Sequence, residues 1–331
     1  MTVKQPFTPP YFLRNPHIQS ILNSVGPRKL RAKRLVKKLD SQMLILTTAE
    51  GVRLAAEFDR ASITAESKNA LVILLHGWEG SSKSAYSVTT AKYLLDNGFD
   101  VLRLNMRDHG DTQHLNPEVF NSTMTDEVAD AAALFLKDHS YPAVFMAGFS
   151  LGASFTLRIA TDRGPELGLT AAVAICPPVD PTSAMDAMDK TLIIYEKYFF
   201  YRWTTSLRKK LKHFPELDFG AELESAKTLD DLNITFIPKF TPYPDAQSYF
   251  ASSTLTGDRL KALSVPAHLI ASLDDPIIPA VDLEKINCPE HLSIEVQRYG
   301  GHCGFIQNLA AHSWIEPKLV QIFDGHLAKE G

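Results

Sequence analysis

Cysteine is scarce in this 331-residue chain: Cys176, Cys288 and Cys303 are odd in number and lack metal-ligand spacing. That argues against a disulfide framework or a zinc site, leaves no metal expected, and points to a reducing compartment, the cytoplasm. Long apolar runs are missing as well. Nowhere do about 18 apolar residues stand together, and the start of the chain lacks the h-region of a secretory leader, so neither a membrane span nor secretion is expected. Charge of one sign is also lacking: 34 Lys and Arg against 38 Asp and Glu leave a net charge of −4, without the basic footprint that nucleic-acid binding needs. No repeat or low-complexity tract appears. What remains is an ordinary globular composition, 45% apolar and 22% charged, enough for the core of one large domain or a domain with an insertion.

Short apolar runs alternate with longer amphipathic stretches, the pattern of a parallel sheet covered by helices, hence an α/β fold. Gln42 to Thr48 and Arg53 to Phe58, separated by Glu50-Gly51, read as an antiparallel edge hairpin. Leu71 to Leu75, Val101 to Asn105, Ala143 to Ala147 and Ala171 to Cys176 read as strands, with helices near Ala85 to Asn97, Thr125 to His139 and after GFSLG. The rhythm breaks after Pro177-Pro178, where the chain turns helical and aromatic. It resumes with Ala267 to Ser272, Ser293 to Tyr299 and a last helix near Leu309 to Phe323. The expected organisation is an extension over 1–41, a core over 42–178 and 251–331, and an inserted helical cap or lid over 179–250.

Gly148-Phe149-Ser150-Leu151-Gly152 matches G-x-S-x-G, whose small residues let a strand turn sharply into a helix and push the serine hydroxyl out. AVFMA before it and ASFTLRIA after it supply the strand and the helix. A serine hydroxyl is a poor nucleophile at neutral pH, so it needs a base, and the base an orienting carboxylate. Downstream loops at strand ends provide both: LDDPIIP with Asp274 and Asp275, and GGH with His302. Asp275 is favoured because Pro276 biases it to an extended backbone, with Asp274 as the alternative. His109, His114, His268 and His312 lack such a setting. For the oxyanion hole the expected donors are the Leu151 amide and the Trp78 amide in His76-Gly77-Trp78-Glu79-Gly80, with Gly77 letting the backbone approach.

Two features concern partners. The cap segment IIYEKYFFYRW carries Tyr195, Tyr198, Phe199, Phe200, Tyr201 and Trp203, aromatic surface for packing and for lining an acyl pocket. RKLRAKRLVKK places seven cations within 28–38, and Arg208, Lys209, Lys210 and Lys212 follow in the cap. Both read first as solvated faces; the alternative for 28–38 is weak peripheral contact with an anionic membrane surface, and for the cap run a basic amphipathic lid that meets an interface or an anionic substrate. Arg107, Asp108, His109 and Asp111 are assigned only loop-structuring roles. Oligomeric state is not legible.

LVILLHGWEG, GFSLG, DDPIIP and GGHCGF together resemble the α/β-hydrolase superfamily over about 42–331. PPYFLRNPHIQSIL, LNMRDHGDT and YFASSTLTGDRLKALSVPAHLIASLDDPIIP narrow the resemblance to its YheT-like branch, which includes eukaryotic membrane-anchored lipid esterases. The resemblance implies an eight-stranded, mostly parallel sheet, a triad of Ser150, Asp275 and His302, and hydrolysis of a small-molecule carboxylic ester without a cofactor. The anchor of those relatives has no counterpart here, so their phospholipid substrates transfer poorly. An acyl-enzyme on Ser150 is expected, with activity falling in acid around the unperturbed histidine pKa of about 6.5. A thioesterase or acyltransferase, a serine protease and a non-catalytic ligand-binding protein are the competing readings.

Overall fold

The computed structural model describes residues 6–61 and 66–330. Two helices come first. In α1 (Pro16–Ser24) the Asn15 side chain accepts the His17 and Ile18 amides and Pro16 sets the first helical φ. Gly26 at φ 65° and Pro27 then open α2 (Pro27–Val36). β1 (Gln42–Thr47) and β2 (Arg53–Asp59) pair antiparallel, and β2 joins β4 (Phe99–Leu104), also antiparallel. From β4 onward all pairings are parallel, through β3 (Ala70–Leu75), β5 (Ala143–Phe149), β6 (Leu169–Ile175), β7 (Ala267–Ser272) and β8 (Leu292–Gln297). The result is one eight-stranded sheet in the order β1-β2-β4-β3-β5-β6-β7-β8.

Central strands buried on both faces need apolar residues throughout, and β3 shows the consequence: ALVILL is buried at every position. Its side chains alternate between two cores. Leu71, Ile73 and Leu75 meet α4 (Thr125–Asp138) and α5 (Leu151–Arg163). Ala70, Val72 and Leu74 meet α3 (Ala85–Asp96) and α11 (Ile315–Glu330). Helices therefore cover both faces. Between β6 and β7 no strand intervenes among the described residues, and the chain forms helices α6 (Pro181–Lys190), α7 (Ile193–His213), α8 (Gly220–Ser225), α9 (Leu229–Phe240) and α10 (Ala246–Ser252). Among the described residues no helix is long and apolar enough to cross a membrane.

Two expectations need correction. The last helix starts at Ile315 rather than near Leu309, because Ile306 bridges Ser313 and Ala311 takes φ 57°, which holds the intervening chain in a turn. The basic segment 28–38 is mostly helix α2, but it is not wholly solvated. Arg28 is fully buried, donating to Asn23 at 2.5 Å and to Glu316 of α11 at 3.1 Å.

Candidate active site

Ser150 stands between β5 and α5 at φ 55° and ψ −121°, a left-handed conformation that costs free energy for any residue with a side chain. The flanking glycines show why the turn tolerates nothing larger. A Cβ at Gly148 would lie 2.1 Å from the Gly152 carbonyl oxygen, and one at Gly152 would lie 2.3 Å from the His76 carbonyl oxygen. Sheet and helix thus touch backbone to backbone, and the serine is held by its amide, which donates to Ile175 O at 2.9 Å.

His302 follows β8 and Asp275 follows β7, so neighbouring strands deliver them to the same end of the sheet. His302 Nε2 lies 2.8 Å from Ser150 Oγ, and His302 Nδ1 lies 2.8 Å from Asp275 Oδ2. The other Asp275 oxygen accepts the Ile277 and Ile278 amides, both at 2.9 Å. Asp274 points elsewhere. Its Oδ1 accepts the Gly301 amide at 2.9 Å, and its buried Oδ2 lacks a partner. Burial raises the Asp274 pKa. Of the adjacent acids, then, Asp275 meets the imidazole and Asp274 meets the backbone before it.

Electrostatics corrects the expected histidine pKa. Burial alone would depress it, but the Asp275 carboxylate, the Cys303 side chain and the Asp275 hydrogen bond outweigh burial and raise His302 to about 9. His76 goes the other way. It is buried, its Nδ1–H donates to Gly77 O at 2.8 Å, and its Nε2 accepts the Met106 amide at 3.1 Å. Burial and the neighbouring His109 hold its pKa well below the usual value, so His76 is a neutral brace for the loop after β3.

In that loop the Gly77 amide is already engaged, donating to Tyr86 Oη at 2.9 Å, and Gly77 O accepts the Gly80 amide at 2.9 Å. Trp78 sits at the crest of this turn. Its ring stacks on Phe199 of α7, centroids 5.1 Å apart, and meets Trp203 edge-on at 5.4 Å. Leu151 is the first residue of α5, where a backbone N–H has no intrahelical acceptor. Both line a cavity of about 160 Å³ together with Ser150 and His302. Met188, Phe199, Trp203, Phe236 and Ile277 make most of its inner wall apolar.

Polar ties fasten α7 over this cavity. Lys210 Nζ reaches Asp108 Oδ1 at 2.7 Å and Asn116 O at 2.6 Å, and both charged side chains are buried. Ser206 donates to Asp108 O at 3.2 Å, and Arg202 donates to Glu79 O at 2.6 Å. Lys209 pairs with Asp111. The expected solvated run at 208–212 is therefore corrected at Lys210, which is internal. Arg107 pairs with Glu127 at 2.7 Å, in keeping with a structural role for the loop after β4. Sequence reasoning missed Tyr86, Lys210 and Ser20, whose Oγ accepts the His302 amide at 2.8 Å. None of the three carries a local signal that names its partner, because each contact joins different segments of the chain.

A family model described as alpha/beta hydrolase fold matches residues 70–309. An abhydrolase domain-containing protein of Dictyostelium discoideum is 23% identical over 95% of this chain and 80% of its own length. YheT of Escherichia coli, named for a suspected esterase activity, is 23% identical over 95% of this chain and 91% of its own. A probable alcohol acetyltransferase of Cyberlindnera fabianii is 38% identical, over 29% of this chain and 24% of its own. The solved structure of the Pyrococcus furiosus esterase Pf2001 superposes with a TM-score of 0.56 at 16% identity, covering 98% of this chain and 99% of that one.

Proposed function

The chain belongs to the α/β-hydrolase fold family, and from that premise we propose that it is a serine hydrolase cleaving carboxylic esters through an acyl-enzyme on Ser150. The observation that carries this reading is the unbroken contact series from Asp275 through His302 to Ser150, 2.8 Å at each step. Ser150 Oγ attacks the ester carbonyl while His302 Nε2 takes its proton. The imidazolium then protonates the leaving alcohol, and water, deprotonated by the same nitrogen, releases the acid. Asp275 orients the ring and stabilises its charged form. The amides of Trp78 and Leu151 receive the oxyanion, with Gly77, His76, Gly148 and Gly152 shaping the two loops that present them.

Residues 179–250 act as a cap whose apolar inner wall takes the acyl chain, which favours small or medium-length apolar acyl groups over acetate. The family match and the esterase, phospholipase and lipase names of several relatives support ester hydrolysis. The decisive experiment is labelling of the intact protein by a fluorophosphonate probe beside turnover of p-nitrophenyl butyrate. The wild type should react with both. Ser150→Ala should lose the label and at least roughly 10³-fold in kcat. Equal labelling of the two proteins, or none of either, would end the proposal.

One observation favours a second reading, the similarity to a probable alcohol acetyltransferase across 98 residues. If an alcohol competes with water for the acyl-enzyme, added ethanol should divert p-nitrophenyl butyrate into ethyl butyrate in excess of the acid. A hydrolase yields mainly the acid.

A further inference from the structure

The turn that carries His302 is strained along most of its length. Gly301, Cys303 and Phe305 lie at φ 53°, 59° and 46°, and two of the three have side chains that disfavour this region. Such a backbone persists only where its surroundings over-determine it. Part of the restraint comes from the sheet: Asp274 accepts the Gly301 amide, and Ser272 donates to Gly301 O at 2.8 Å. Asp275 fixes the imidazole ring but not the peptide that bears it.

A further part comes from α1, 282 residues away in sequence. Ser20 Oγ accepts the His302 amide at 2.8 Å while donating to Pro16 O at 2.7 Å. Gln19 is fully buried beside it. Its Nε2 donates to Leu13 O at 2.7 Å and Ile306 O at 3.1 Å, and its Oε1 accepts the Ile306 amide at 2.6 Å. One side chain thereby closes both polar groups of Ile306 as a neighbouring strand would. The turn's glycines match this contact: a Cβ at Gly301 would lie 2.4 Å from Pro16 O, and one at Gly304 2.4 Å from Gln19 O. One turn earlier on the same face, α1 touches α7, where His17 Nδ1 lies 3.0 Å from the Tyr195 hydroxyl.

We propose that α1 braces the turn that carries His302 and that Ser20 is a positioning residue for His302, with Gln19 locking the helix against the turn. Neither residue lies within the stretch matched by the family model, 70–309. The inference rests on the serine-hydrolase reading, because it assigns Ser20 to the placement of that reading's base. Removing the Ser20 hydroxyl leaves the His302 amide without its acceptor and frees the peptide to drift. Displacements of the reacting groups on the order of 1 Å cost up to about 10²-fold in rate.

The test compares wild type, Ser20→Ala, Ser20→Thr and, as a control at the exposed last residue of the same helix, Ser24→Ala. Active sites are titrated with the fluorophosphonate so that kcat refers to folded protein, and p-nitrophenyl butyrate is the substrate. Ser20→Ala should lower kcat about 10- to 100-fold with KM within about twofold, and Ser20→Thr, which keeps the oxygen, should recover most of the loss. Hydrogen exchange in the 299–306 peptide should accelerate in Ser20→Ala and not in Ser24→Ala. A reactive wild type whose Ser20→Ala variant matches it in kcat per titrated site overturns the inference alone. An unreactive wild type overturns the serine-hydrolase reading and takes the inference with it.

Discussion

At the scale of single residues, the site turns on two carboxylates whose neighbours give them different work. Asp275 divides its oxygens between His302 and two amides, whereas Asp274 is spent on the Gly301 amide. Asp275→Asn should therefore lower kcat by roughly 10⁴-fold, because an amide facing Nδ1 favours the wrong tautomer. Asp274→Asn keeps an oxygen for Gly301 and should stay within about tenfold of wild type. Steady-state kinetics of the two variants checks this, and the reverse ranking would exchange their roles. The same ion pair sets the pH dependence. A general base works when neutral, and His302 is raised to about 9, so kcat/KM should climb through an acid limb centred well above 6.5. Stability runs with the opposite sign. A folded pKa above the unfolded one means that the imidazolium–Asp275 pair stabilises the fold fully below about 6.5 and loses that contribution as pH rises through about 9. The Tm difference between wild type and Asp275→Asn should accordingly be larger at pH 6 than at pH 10.

At the scale of elements, α7 is held by an internal ion pair rather than by surface charge. Burial pulls both partners toward their neutral forms, raising Asp108 and lowering Lys210, so desolvation offsets much of the mutual attraction. Such a pair specifies where the helix sits more than it stabilises the fold. Taking away one partner is another matter: Lys210→Met should destabilise by about 3–5 kcal/mol in thermal unfolding, and adding Asp108→Asn should restore part of it. A Lys210→Met Tm equal to wild type would show that the pair is not internal in solution. Elements of this kind mark the limit of what the sequence discloses. Strands β3 and β5 were legible because continuous apolar runs between turn residues admit few other readings. Ser150 and its two partners were legible because glycines and strand ends announce them. Lys210 was not, since its contact with Asp108 spans 102 residues and looks, locally, like one more cation in a basic run. Ser20 was not for the same reason. The start of α11 was misplaced because the bridge between Ile306 and Ser313 is a tertiary pairing with no periodicity of its own.

At the scale of the whole molecule, the sheet gathers its loops at one end, and the helices inserted between β6 and β7 lie over them, so that Ser150 faces a lined cavity. A lined cavity implies selection by shape and apolarity. Each methylene that leaves water adds about 0.8 kcal/mol, close to fourfold in affinity for the transition state, until the acyl chain meets the back wall. Across p-nitrophenyl esters from acetate to palmitate, kcat/KM should therefore rise to an intermediate chain length and then fall. Ala184 lines the cavity and is itself buried, so Ala184→Leu shortens the available depth without adding charge. It should move the optimum toward shorter chains while acetate turnover stays near wild type, since acetate does not reach that wall. Turnover confined to acetate in the wild type, or an optimum unmoved by Ala184→Leu, would show that the acyl chain lies elsewhere. The cavity would then be packing space between the inserted helices and the sheet, not a substrate pocket.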